Sequence, residues 1–338
     1  MKKSFWKPFL AVCLVGALCL PALGAVKWKM AHYMPVDSMI DDIAKNIIAE
    51  VEEKSKGEIK FDLFPAQQLG SWEEMSQQIM RGAIQVGIMP VSAVYNQALQ
   101  IRVLPYCVMN WKQAREAFIG ENPYLFNILA KEMDKSRLKA LAVVAEGFGG
   151  MGFSRVPSFD PCDPDSGKNG FKARVPGGNI AFESMAQEFG YIPTSVAWGE
   201  IYMALQTGLV DCQMGGQPYS TQSQFIDVTK AWVQLNTHFQ HSFVYVNKKA
   251  WEKLSPELKE ILQTAARKYA DTSFERAEKE DAMYMQKMAD AGVKIYVPTD
   301  DQYAKLAAKI RAKTWPKLEG IVGKATIDNL LAVLNSVK

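Results

Sequence analysis

Gly147-Phe148-Gly149-Gly150-Met151-Gly152 fits GxGxxG and follows an apolar run, Lys139–Gly147, that reads as a strand. In a dinucleotide site a helix must begin at that point, because its N-terminus holds the pyrophosphate. Here the chain continues Phe153-Ser-Arg-Val-Pro-Ser-Phe-Asp-Pro-Cys-Asp-Pro164, whose prolines exclude a helix. The glycines are therefore expected to let the backbone bend or approach a ligand closely. Hydrolase and metal signatures are missing: the sequence holds no GxSxG, HExxH or CxxC. Of its histidines, His32, His238 and His241, the last two lie three apart in a strand-like stretch and need not share a face. A structural, hydrogen-bonded role suits them better than metal ligation. No metal site, no cofactor and no catalytic residue is assigned, and the chain is read as a non-enzyme. Arg174 is the remaining candidate. In Lys172-Ala-Arg-Val-Pro-Gly-Gly178 it stands near a strand end, before a loop and a helix. A guanidinium so placed offers paired N–H donors to a carboxylate at constant charge; an exposed ion pair is the alternative.

The elements that must position Arg174 alternate between strand and helix. Residues 26–34 read as a strand. Residues 38–56 follow as a helix, with Ile40, Ile43, Ile47 and Val51 at helical spacing and Gly57 as its stop. A period-two strand at 59–65 leads to Ser71, which with Glu74 forms a capping-box signal. A strand at 83–89 closes this first block. A second block holds strands at 139–147 and 170–176, a helix near 180–189, a strand and loop at 191–198, a helix at 199–208 and a strand at 209–215. This alternation predicts an α/β fold with largely parallel sheets. The segments Pro65 to Val86 and Pro193 to Cys212 share one plan, which supports two similar lobes. Residues 155–170, rich in proline, glycine and aspartate, form an irregular loop. Ser255-Pro256 opens a helical pattern without a breaker before Gly292, a span of about 54 Å at 1.5 Å per residue. Such a helix is expected to lie across both lobes.

The first residues point out of the cytoplasm. Lys2, Lys3 and Lys7 precede an uncharged stretch at 8–20, and Pro21-Ala-Leu-Gly24 supplies small residues at a cleavage site. This is the layout of a secretory signal peptide, residues 1–24, cut near Gly24/Ala25. An uncleaved anchor is the alternative. Formal charge is +3 for the full sequence, from 39 basic and 36 acidic residues, so losing those three lysines leaves a neutral chain. A neutral chain has no basic field for nucleic acid. Cys13 and Cys19 leave with the signal. Cys107, Cys162 and Cys212 then allow either one bridge or three buried thiols, not a disulfide framework.

The stretch 172–213 resembles the signature region of the DctP family, the extracytoplasmic solute receptors of tripartite ATP-independent periplasmic (TRAP) transporters. Its most specific run is Trp198-Gly-Glu-Ile-Tyr-Met-Ala-Leu-Gln-Thr-Gly-Leu-Val-Asp211. Further matches are Phe64-Pro-Ala-Gln-Gln-Leu-Gly70, Arg81-Gly-Ala-Ile-Gln85, Leu104-Pro-Tyr106 and Asn247-Lys-Lys-Ala-Trp-Glu-Lys-Leu-Ser-Pro256. The resemblance implies an α/β, two-lobed periplasmic binding protein of the type II-like plan, with crossing strands and a long bridging helix. It divides the chain into lobe I at 25–147, lobe II at 148–240, and a return to lobe I at 241–338 carrying the bridging helix at about 256–291. It implies a periplasmic, monomeric receptor that binds a small organic acid and delivers it to the small and large integral membrane subunits of a TRAP transporter.

By the same resemblance Arg174 matches the arginine that pairs with the ligand carboxylate, and Trp198 an aromatic or bulky position on the cleft wall. Trp72, after Gly70, is expected to line the cleft. His32 and Tyr33 are expected at its edge, and Phe148 in the crossover. Two departures bear on the ligand. Met151 stands where a second arginine often occurs. Asp211-Cys-Gln-Met-Gly-Gly-Gln-Pro218, which includes Gln217, replaces Asp-Gly-Gln-Glu-Asn-Pro, losing an acidic group and gaining two residues. Fewer charges and more aromatics suit a monocarboxylate with an apolar or aromatic body, with a C4-dicarboxylate as the alternative. A secreted enzyme and a binding protein for a sensor or an ATP-driven importer are the rival classes.

Overall fold

The computed structural model describes residues 26–168 and 170–336; the expected signal peptide lies outside the described residues. Two mixed sheets organise the chain. The first contains β1 (Val26–His32), β2 (Ile59–Phe64), β3 (Val86–Met89) and β4 (Leu138–Phe148). The second contains β5 (Gly150–Phe153), β6 (Lys172–Val175), β7 (Ile192–Ser195), β8 (Cys212–Gly216) and β9 (Ala231–Val233). β10 (Phe239–Asn247) completes the first sheet, in the order β2-β1-β3-β10-β4, and β11 (Lys294–Tyr296) the second, in the order β11-β9-β5-β8-β6-β7. β1 pairs in parallel with β2 and β3, and β6 with β7 and β8. β10 runs antiparallel to both β3 and β4, and β5 antiparallel to β8 and β9. The expectation of largely parallel sheets is corrected accordingly. A strand that crosses directly from one sheet to the other needs no helical crossover, so antiparallel pairing becomes available.

Local chemistry sets the helix starts. Ser38 caps Met39–Lys54 by accepting from the Asp41 N–H at 3.3 Å. At Ser71 the capping box closes from both sides: the Glu74 carboxylate accepts the Ser71 N–H at 2.8 Å, and the Ser71 hydroxyl the Glu74 N–H at 3.3 Å. Gly82, at φ 84°, ends that helix in the left-handed region open to glycine. Ser255 and Pro256 start the helix Pro256–Asp290, 35 residues long. It packs on β4 and the Met39–Lys54 helix at one end and on the Pro218–Phe225 helix and β11 at the other, so it touches elements of both sheets.

The chain passes between sheets at Gly149 and again at 234–238. These two segments are hydrogen-bonded to each other: the Gly149 N–H donates to His238 O and the Thr237 N–H to Gly149 O, both at 3.0 Å. A Cβ on Gly149 would sit 2.1 Å from His238 Cε1. The GxGxxG run is thus a strand crossing in which glycine is demanded by close approach, not a nucleotide loop.

The strand at 139–147, which opens the second block of alternation but falls inside the expected lobe I span of 25–147, belongs to the first sheet, paired with β10. The expected return of 241–338 to lobe I holds in part: Trp315, Leu318, Val322, Ile327 and Leu330 are buried in the first lobe's core, while the segments just before them join the second lobe. β11 pairs with β9, and the helix Asp300–Val322 packs on Ile180–Glu188 of the second lobe. Its Leu306, Ala307 and Ile310 are buried in the core with Phe153, Met185 and Phe189. A third passage between sheets is therefore made by the long helix. Cys107, Cys162 and Cys212 are free thiols, all buried. Among the described residues no helix is long and apolar enough to cross a membrane.

Candidate ligand-binding cleft

Between the two sheets lies a cavity of about 580 Å³, counting the part open to solvent. β1 and the helix Trp72–Arg81 bring Tyr33, Trp72 and Glu73 to one wall. β6 and the turn after it bring Arg174 and Pro176 to the other, with Phe182, Trp198 and Gln217. Arg102, His238 and Gln240 complete it near the crossing.

Arg174 is 3% exposed. Burial brings its pKa down to about 10, partly offset by the Glu73 carboxylate, so it stays charged at neutral pH. Its Nε donates to Val196 O at 2.9 Å and its Nη1 to Met214 O at 3.4 Å. Those two carbonyls belong to the segments flanking β6 and hold the guanidinium plane. Of the five N–H donors of a guanidinium, three remain, on Nη1 and Nη2. The Trp198 ring lies 5.7 Å from Arg174 Cζ, and its indole N–H donates to the Gln224 side chain at 3.2 Å, fixing the ring against the cation.

The opposite wall carries a polar network. Tyr33 donates a short hydrogen bond to the Glu146 carboxylate, which also accepts from the Ser242 hydroxyl at 2.6 Å. Burial pushes Glu146 above the usual carboxylate range, against the pull of those donors and of Arg102. Glu73 is likewise raised by burial, against the pull of Arg102 and Arg174. His238 shares its Nδ1 with the Thr237 hydroxyl at 3.0 Å, and burial lowers its pKa to about 3, so it is neutral.

Tyr33, Trp72, Arg174, Trp198 and Gln217 thus meet at one cavity. Gln217 is held by its own hydrogen bonds, to Gly215 O at 3.0 Å and from the Ser220 hydroxyl at 3.3 Å. His32, Phe148 and Met151 do not reach it. His32, one residue before Tyr33, points to the opposite face of β1, as strand alternation requires, and binds Asp41 at 3.0 Å in the core. Phe148 is at the crossover as expected, but its ring packs edge-on against Trp111 at 5.4 Å. Met151 is fully buried in the second lobe's apolar core, so its side chain does not shape the cavity. Glu73, Arg102 and Gln240 were not singled out in the sequence. For Arg102 a signal existed: it is a lone cation between Ile101 and Val103 in an otherwise uncharged run, Gln97–Tyr106.

Comparison with known proteins agrees with this architecture. Residues 30–317 match the model of the DctP family, described as "Bacterial extracellular solute-binding protein, family 7". The chain is 24% identical over 313 residues to the sialic acid-binding periplasmic protein SiaP of Vibrio cholerae, covering 91% of this chain and 93% of that one. It is 25% identical over 287 residues to the C4-dicarboxylate-binding periplasmic protein DctP of Rhodobacter capsulatus, covering 83% of each. Its fold is similar to a TRAP periplasmic solute binding protein from Desulfovibrio salexigens with bound orotic acid. That match has a TM-score of 0.80 at 20% identity and covers 92% of this chain and 97% of that one. With the match spanning both sheets and the cleft between them, the chain belongs to the DctP family of bacterial extracellular solute-binding proteins.

Proposed function

We propose that this chain is the extracytoplasmic receptor of a TRAP transporter, and that its cargo is a monocarboxylate with an apolar or aromatic body. The observation that carries the reading is Arg174: a buried cation, oriented by two backbone carbonyls, with three donors left at the cavity. A permanently charged group so desolvated is stabilised by an anion, and the fork geometry matches a carboxylate. Trp72, Trp198 and Phe182 supply the apolar walls for the body of the ligand. Because the walls come from both lobes, a bound acid favours the closed arrangement by its contacts to each, which biases a hinge equilibrium. Glu280 and Asp281 of the long helix, with Met34 of the first lobe and Gln217 of the second, line a smaller hollow beside the cleft, so opening would be felt along that helix. The loaded, closed receptor then hands its cargo to the small and large membrane subunits; it acts as a monomer in the periplasm after signal removal.

A thermal-shift screen of organic acids tests the reading. Aromatic or alicyclic monocarboxylates should raise Tm, and Arg174→Met should abolish the response. Stabilisation by C4-dicarboxylates alone would sink the monocarboxylate assignment, and stabilisation by uncharged solutes alone would sink the receptor reading.

A further inference from the structure

Arg102 is a half-buried cation without the hydrogen-bond restraints that Arg174 and Arg311 have. It lies in the 3-10 segment Gln97–Val103, between the buried Ile101 and Val103. Its guanidinium lies 5.6 Å from the Trp72 ring, and burial lowers its pKa. Its Nη1 is buried and has no hydrogen-bond partner among the described residues. Two other arginines show the usual arrangement. Arg311 donates to Tyr106 O through Nε at 3.1 Å and Nη2 at 2.6 Å, and Arg174 is fixed by Val196 O and Met214 O. Leaving a donor of a charged group unpaired in the interior costs free energy that a structural residue would not be kept for.

The position of Arg102 says what it awaits. It lines the Arg174 cavity and also the adjoining hollow toward the mouth, which it shares with Trp72, Glu73 and Pro176. We infer that Arg102 is a second ligand-contacting residue, donating to a hydroxyl or oxo oxygen on the part of the cargo remote from the carboxylate held by Arg174. This inference rests on the receptor reading above and narrows its substrate class to hydroxy- or oxo-substituted monocarboxylates. Charge decides against a second carboxylate. Arg102 and Arg174 are already faced by Glu73 on the cavity wall and by Glu146 behind Tyr33. With both carboxylates ionised these four charges sum to zero, so a monoanion leaves one uncompensated negative charge in the low-dielectric site and a dianion leaves two. Glu73 adds an acceptor for the hydrogen of a cargo hydroxyl, while the Trp72 face keeps the guanidinium at its station.

Matched acids provide the test: 4-hydroxybenzoate against benzoate, 5-oxohexanoate against hexanoate, with succinate and adipate as dianions. Affinities are measured by calorimetry, and Tm by calorimetric scan, for the wild type, Arg102→Met and Arg174→Met. The wild type should prefer the oxygenated member of a pair. Arg102→Met should weaken that member by about tenfold or more, the range of one hydrogen bond to a charged group, and change its parent acid less than about threefold. Its ligand-free Tm should equal or exceed that of the wild type, which a structural arginine would not allow. Equal weakening of both members, or a lowered ligand-free Tm with unchanged affinities, overturns the role. A preference for succinate or adipate that depends on Arg102 overturns the hydroxy or oxo assignment. Binding lost in Arg174→Met but untouched in Arg102→Met overturns this inference alone; a wild type that binds none of these acids overturns it together with the receptor reading.

Discussion

Arg174→Lys is the most informative single perturbation, because it keeps the charge and removes the geometry. Arginine at this position spends Nε on Val196 O and one Nη1 hydrogen on Met214 O. The remaining donors lie on two nitrogens about 2.3 Å apart, matching the two oxygens of a carboxylate. A lysine ammonium has three donors at one point, so satisfying either carbonyl turns it away from the ligand. Losing one of two charge-assisted hydrogen bonds should cost about 1.5–3 kcal/mol, or roughly 10- to 150-fold in Kd. Arg174→Ala loses both and leaves the cargo's carboxylate buried and unpaired, so about 3–4 kcal/mol, or roughly 150- to 900-fold, is expected. Isothermal titration with the best acid from the screen measures both variants, with circular dichroism to show that each is folded. Lysine within threefold of the wild type would refute the bidentate argument, and alanine within threefold would refute the assignment of Arg174 altogether.

Three further outcomes follow from other parts of the molecule. Trp198→Ala should weaken binding by about 1–2 kcal/mol, because it removes a cavity wall and the ring that restrains the guanidinium; equal affinity by titration would remove Trp198 from the site. Gly149→Ala should lower stability by about 1–3 kcal/mol, since the new methyl falls 2.1 Å from buried His238 where the crossing segments bond; an unchanged denaturation midpoint would contradict that packing. Asp281, buried against the crossing and accepting the Phe148 N–H at 3.1 Å, has its pKa pushed up to about 8 by burial, with Glu280 and Glu278 adding to the rise. A carboxyl raised on folding contributes stability that is full below its ordinary value of 3.8 and is lost as pH climbs through about 8. The gain in stability from Asp281→Asn should therefore grow between pH 5 and about pH 8 and level off above it, and a pH-independent difference in midpoint would refute the shift.

Helix starts in this chain are written locally, whereas strand pairing is not. The helices at Met39–Lys54, Trp72–Arg81 and Pro256–Asp290 were legible because caps and apolar spacing are local: Ser38, the Ser71/Glu74 box and Ser255-Pro256 act within one turn. Sheet membership was not. Leu138–Phe148 reads as a strand from composition, and its local spacing does not name its partner: the family resemblance implies lobe I, and long-range pairing with β10 sets it in the first sheet. The same holds for Lys294–Tyr296, three residues whose partner, β9, lies some sixty positions earlier. His32 and Tyr33 show the limit most closely. Both could do chemistry, and one residue of register sends Tyr33 to the cavity and His32 to Asp41.

By itself, then, the sequence determined an α/β chain with a long helix, a DctP-type signature and one well-placed arginine, because those features are written in local spacing and residue type. Tertiary structure alone decided the composition of the cleft. It excluded Met151 and His32, brought in Glu73 from a helix start and His238 from the crossing, and set Arg102, some seventy residues before Arg174, on the same cavity. A binding site between two lobes is a property of how distant segments meet. Loop closure and strand register place them within reach, and neither is encoded in any one stretch of chain.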